Sequence, residues 1–118
     1  MKHAKEQAER EAKYWSEMYG GVFNKKVRVV KLYNHWCLMM PYFDQIPSSE
    51  REDRLPEVQQ HLESFKNSDL QYNVDDLRWR HIGVRSGSLY IFDLGSLEEC
   101  DKSKIDISAQ ISTLRSTI

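Results

Sequence analysis

Two acidic centres, Asp75-Asp76 and Asp93, have the type and spacing to do chemistry together. Between them lies a stretch that reads as a hairpin. Val84-Arg85 and Leu89-Tyr90-Ile91-Phe92 are strand-like, and Ser86-Gly87-Ser88 supplies the turn. A hairpin returns the chain to the end it started from. Asp76 enters before the first strand and Asp93 leaves the second, so both acids are expected at one end of the ribbon, within about 10 Å on strand spacing. Acids so placed suit a divalent cation, or one acid acting as base beside a metal-bound anion. The alternative is a pair of solvated turn acids. Asp75 adds negative charge beside Asp76, which suits a cation and not a bare phosphate. Arg78 and Arg80 flank Trp79 and are expected to neutralise these acids. Phosphate capture is their sharper alternative role, and stacking of the Arg-Trp-Arg triplet on single-stranded nucleic acid a third.

The order of these residues resembles the protein-kinase-like superfamily. Asp76-Leu77-Arg78-Trp79-Arg80-His81-Ile82 is similar to its catalytic loop, which reads Asp-Leu, three variable residues, Asn and an aliphatic residue. Ile91-Phe92-Asp93-Leu94-Gly95 is similar to the metal-binding Asp-Phe-Gly motif after the next hairpin, with Leu for Phe. The resemblance implies that Asp76 orients an acceptor hydroxyl and Asp93 binds Mg2+, with ATP as the nucleotide. His81 stands where the family has the Asn that holds a second Mg2+. An imidazole nitrogen is a poor replacement for a hard oxygen ligand, so His81 is expected to be a hydrogen-bonding loop residue instead. Val74-Asp75 stands in place of the His-Arg that precedes the family's catalytic Asp.

The same resemblance makes Pro41-Tyr42-Phe43-Asp44 the hinge between lobes. It implies adenine contact by the Pro41 C=O and the Phe43 N–H, with Met40 at the back of the pocket. Glu11 lies near the position of the small-lobe helix glutamate, and Asp106 near that of the aspartate opening a buried large-lobe helix. The residues' own chemistry offers other roles: Met40 and Phe43 as core, Glu11 as solvated helix surface, Asp106 as a plain N-cap. The likeness covers the central part of a kinase domain. The opening strands, the glycine-rich loop, the phosphate-gripping lysine and the peptide-binding helices find no match here.

Several elements must position these groups. Residues 2–19 are predicted to be a helix, with Ala4, Ala8, Ala12, Trp15 and Tyr19 on one stripe and Gly20-Gly21 ending it. Val27–Tyr33 and Trp36–Met40 read as strands joined by a turn at Asn34-His35, and Pro41 ends the second. Ser49 and Glu52 form a capping-box signature. Pro56 is expected to interrupt that helix or start a second one, on which Leu55, Val58, Leu62 and Phe65 form the apolar stripe. His61 falls off this stripe and is expected to be exposed, and Asn67-Ser68-Asp69 ends the element. Beyond Gly95 comes an acidic connector, then a predicted helix over 105–118. Its apolar face is Ile107, Ile111, Leu114 and Ile118, with Asp106 as cap.

At 118 residues the chain is long enough for one small domain with one core. Residues 1–44 would be a small-lobe remnant with hinge, and 45–118 a large-lobe remnant. A net charge of -1 provides no field to draw in nucleic acid or an anionic membrane. Two cysteines, Cys37 and Cys100, lack metal-site spacing, and no apolar run approaches a membrane span. A cytoplasmic protein with reduced thiols is expected. The fold class is α+β: an N-terminal helix and hairpin, a helical segment, a catalytic-loop-like hairpin and a C-terminal helix. The favoured function is a degenerate, pseudokinase-like module binding nucleotide or a partner, by way of a protein partner or a homodimer. An active kinase fragment needing another chain and a structural α+β interaction domain are the alternatives.

Overall fold

The computed structural model describes residues 2–20, 23 and 27–118, with side chains from Lys5 onward. The fold is α+β, with α-helices and short antiparallel sheets. The chain divides into two compact units, Met1–Tyr42 and Phe43–Ile118.

The first unit is a helix on a hairpin. Helix α1 (Lys2–Tyr19) buries Ala8, Tyr14, Trp15 and Tyr19. Trp15 packs on Tyr19 at 5.3 Å and edge-on to Phe23 at 5.6 Å between ring centroids. Rings of this size, once buried, contribute a few kcal/mol each. The outer face carries Lys5–Glu9 and Lys13–Glu17 pairs one turn apart, each at 3.8 Å. Gly20 ends the helix at φ +50°, as expected from its type. Gly21 and the side chain of Ala4 lie outside the described residues. Strands β1 (Arg28–Leu32) and β2 (His35–Met39) pair in the register Leu32↔His35. Their turn is Tyr33-Asn34, one residue earlier than predicted, with both φ angles positive (49° and 63°). That two-residue geometry matches the strand twist. Lys5 and Lys31 lie over the Trp36 ring at 4.9 and 5.7 Å.

The second unit is built on helix α2 (Ser48–Asn67), which runs unbroken through Pro56. The expected break does not occur, because Leu55, Val58, Leu62 and Phe65 bury on one face on both sides of the proline. That packing offsets the missing Pro56 N–H. The capping box does not form either: Pro47 occupies the N-cap, and its carbonyl accepts from Glu50 N at 2.9 Å. His61 is half-buried, not exposed, because its ring meets Tyr90 at 6.1 Å. Burial lowers the His61 pKa below its ordinary value, offset in part by Glu57 and by a hydrogen bond with the Leu89 backbone.

Two small sheets complete the unit. One has the order β3 (Asp44–Gln45), β5 (Ile82–Arg85), β6 (Ser88–Ile91); the other pairs β4 (Leu70–Tyr72) with β7 (Leu97–Glu99). The β5–β6 hairpin turns at Ser86-Gly87, both at positive φ, in the register Arg85↔Ser88. Helix α3 (Ile107–Arg115) is shorter than predicted; Ile111 and Leu114 are buried, whereas Ile118 is exposed. Asp106 caps it, its carboxylate accepting from Ala109 N at 3.1 Å. No helix among the described residues is long and apolar enough to cross a membrane. Cys37 and Cys100 are free.

Candidate functional site

The loop between β4 and β5 is shaped by local hydrogen bonds. Asn73 Oδ1 accepts from Asp75 N at 2.9 Å, and the Asn73 carbonyl accepts from Asp76 N at 3.0 Å. This is the turn that an Asn side chain builds two residues on. Leu77 and Trp79 are buried and draw the following residues into the core, and Trp79 Nε1 donates to the Leu114 carbonyl at 3.0 Å. Asp75 and Asp76 remain exposed on the loop. Arg78 does not neutralise them: its Nη1 donates to the backbone carbonyls of Val74 (3.3 Å) and Leu77 (3.0 Å). The Val74 carbonyl also accepts from Leu77 N at 3.3 Å, so the guanidinium adds a second donor to an oxygen with two lone pairs. Trp79 is 4 % exposed, with the Arg51 guanidinium over its ring at 5.4 Å.

His81 joins the loop to the second acid. Its Nδ1 lies 2.7 Å from the Asp76 carbonyl oxygen. A carbonyl only accepts, so Nδ1 carries the proton of this bond. Nε2 faces Asp93 Oδ2 at 3.5 Å. The side chain of His81 is 17 % exposed and that of Asp93 42 %, so the imidazole is held while the carboxylate stays open to solvent ions.

Asp93 is positioned by the hairpin exit. Phe92 N donates to the His81 carbonyl at 2.8 Å, extending the β5–β6 pairing by one step. Tyr72 Oη donates to the Phe92 carbonyl at 2.9 Å. Phe92 also stacks on Phe43, at 5.2 Å and 14° between planes. With Phe92 fixed on three sides, Asp93 turns the chain through the left-handed region at φ 58°, ψ 51°, which Asp tolerates better than most residues. Ser96 Oγ donates to Asp93 Oδ2 at 3.3 Å.

The structure therefore brings together three of the predicted residues: Asp93 and His81 through their side chains, Asp76 through its backbone. Arg78 lies on the same loop but is occupied by carbonyls. Phe43 is buried against Phe92 and Tyr90, a core position in the second unit. Met40, Pro41 and Glu11 belong to the first unit and are half-buried. Tyr72, Asn73 and Ser96 were not anticipated. The spacing Asp93-x-x-Ser96 was the available signal for Ser96, since a Ser three residues on can reach back across a tight turn. Among the described residues, no three His, Cys, Asp or Glu side chains converge on one point. A cation placed here would have two side-chain donors, His81 and Asp93.

Residues 1–85 match a family model described as "Family of unknown function (DUF5898)". The chain belongs to this family. The DUF5898 match ends at the last residue of β5, so Asp76 and His81 lie within it and Asp93 beyond it. No curated protein and no solved structure matches the chain.

Proposed function

We propose that the second unit is a pseudokinase-like module that binds a divalent cation with a nucleotide, Asp93 serving as the metal-binding carboxylate. The observation that carries this reading is the single imidazole of His81, bonded to the Asp76 carbonyl at 2.7 Å and set 3.5 Å from Asp93 Oδ2. It ties the loop holding one acid to the hairpin exit holding the other. In the resemblance, the residue at this position holds a second Mg2+; here His81 stands there and joins the two segments through its ring. An open carboxylate beside an exposed aspartate loop supplies negative charge where a cation–phosphate pair would sit.

Binding, and not turnover by this chain alone, is the function this arrangement supports. Phosphoryl transfer relies on several cations or cationic side chains around the transferred group. Arg78 is engaged by backbone carbonyls, and Arg80 Nε donates to His81 Nε2 at 3.5 Å.

Thermal unfolding with Mg2+·ATP or Mn2+·ATP tests the proposal. A ligand at a hundredfold its Kd stabilises the folded state by about 2.7 kcal/mol. The wild-type transition should rise with nucleotide and cation together, and Asp93→Asn should abolish the rise while leaving the unliganded transition within a few degrees. No rise at millimolar nucleotide, or an equal rise in Asp93→Asn, would refute it.

A further inference from the structure

We propose that the face of the β1–β2 hairpin turned away from α1 is a docking surface for an acidic amphipathic helix of a partner protein. The surface belongs to the first unit and is independent of the cation reading of the second.

The register sorts the hairpin's side chains into two faces. Cross-strand partners share a face, and neighbours along a strand alternate. Lys5 of α1 lies over the Trp36 ring at 4.9 Å, so α1 covers the face of Val29, Lys31, Trp36 and Leu38. The other face carries Arg28, Val30, Leu32, His35, Cys37 and Met39. Val30 and Cys37 at its centre are half-buried, whereas Leu32 and Met39 remain 50 % and 42 % exposed. A two-stranded sheet is marginal without packing on its faces, and α1 supplies such packing on one side only.

Geometry favours a helix as the occupant. Two strands about 4.8 Å apart, with their side chains, make a strip roughly as wide as one helix, about 10 Å across. Five residues at roughly 3.3 Å span about 16 Å, the length of three helical turns. An added strand is disfavoured, because Arg28 and Lys31 place on β1 the charged side chains that keep strands off an open edge.

Charge selects an acidic one. Residues 18–43 contain Lys25, Lys26, Arg28 and Lys31 and no Asp or Glu. Residues 1–42 hold eight Lys and Arg against four Asp and Glu, although the whole chain has a net charge of -1. Arg28 stands at one end of the face, its Nη2 3.7 Å from Met39 Sδ, and the hairpin offers it no carboxylate. A helix with acids along the borders of its apolar stripe meets this charge, whereas a second copy of the hairpin would set cationic faces together. The face is smaller than the roughly 800 Å2 per partner of a standard interface, so the complex is weak, with a Kd on the order of 10 μM or higher.

The test uses the full chain and a fluorescein-labelled synthetic helix with leucines at i, i+3, i+4 and i+7 flanked by glutamates, beside the same peptide with lysines for the glutamates. In fluorescence polarisation the glutamate peptide should bind about 10-fold or more tightly than the lysine peptide, and less tightly as salt is raised. Amide NMR shifts should centre on Arg28–Leu32 and His35–Met39. Leu32→Gln and Met39→Gln, at exposed positions, should keep the unliganded thermal transition and weaken binding, and Arg28→Glu should reverse the preference between the peptides. Equal affinity for the two peptides, no binding at millimolar peptide, or shifts away from the hairpin would overturn the proposal. Tighter binding of a thymidine oligonucleotide at the same amides would overturn it in favour of nucleic acid. Self-association in sedimentation that Leu32→Gln abolishes would overturn it in favour of a second copy.

Discussion

Replacing His81 by alanine and by asparagine separates its linking role from its imidazole chemistry. His81→Ala removes a 2.7 Å hydrogen bond to the Asp76 carbonyl and a 3.5 Å contact with Asp93. The first is a neutral hydrogen bond, contributing about 1–1.5 kcal/mol. Asp76 is exposed, so water replaces the lost donor and the cost stays at the lower end. The contact with Asp93, whose side chain is 42 % exposed, adds only about 0–1 kcal/mol. The loss should therefore be about 1–2 kcal/mol, read as a lower urea midpoint with an unchanged m-value. In a unit of this size that corresponds to a fall in Tm of about 4–8 °C for each kcal/mol. His81→Asn keeps a side-chain N–H within reach of the same carbonyl and should lose less than half as much. Wild-type stability for His81→Ala, or equal destabilisation by Ala and Asn, would refute the claim that this bond holds the loop to the hairpin.

Two further predictions follow from the second unit. A Cβ on Gly83 would lie 2.7 Å from Phe43 Cβ and 2.8 Å from the Asp44 carbonyl oxygen, neither being a flexible tip. Gly83→Ala should displace β3 from β5 and cost about 1–3 kcal/mol by urea denaturation, with weakened amide protection at Asp44 and Gln45; a neutral substitution would contradict the packing. His61 has a folded-state pKa below its unfolded value, so the unfolded chain takes up the proton more readily. Its contribution is complete above the ordinary histidine range and is lost as pH falls through it towards the lowered folded value. Unfolding free energy should drop by at most about 1.4 kcal/mol per pH unit there. His61→Gln should flatten that slope, and an unaltered slope would assign it to other groups.

The larger elements were legible because they carry periodic apolar patterns. The α1 stripe, the paired strands of the first unit and the hairpin at Ser86-Gly87 all follow from spacing and turn chemistry. What escaped the sequence depends on distant partners. Strands β3, β4 and β7 have two or three residues each, too few for any period, and β4 pairs with β7 across the whole intervening hairpin. Pro56 carries a breaker signal that burial of Leu55, Val58 and Leu62 overrides. Tyr33 adopts a positive φ that its residue type does not advertise, hence the shifted turn. In the site, the order Asp76, hairpin, Asp93 was readable, as was His81 as a hydrogen-bonding loop residue. The partner of Arg78 was not, because a guanidinium serves backbone carbonyls as well as carboxylates and only the loop geometry decides between them. Tyr72 was equally hidden: its hydroxyl reaches a carbonyl twenty residues away.

The most direct test of the proposed cation binding is paramagnetic line broadening in amide NMR spectra with substoichiometric Mn2+ and excess ATP. Broadening centred on Asp76, His81, Asp93 and Ser96, and absent in Asp93→Asn, is the predicted result. Broadening that leaves these four amides sharp, or that persists unchanged in Asp93→Asn, would contradict it.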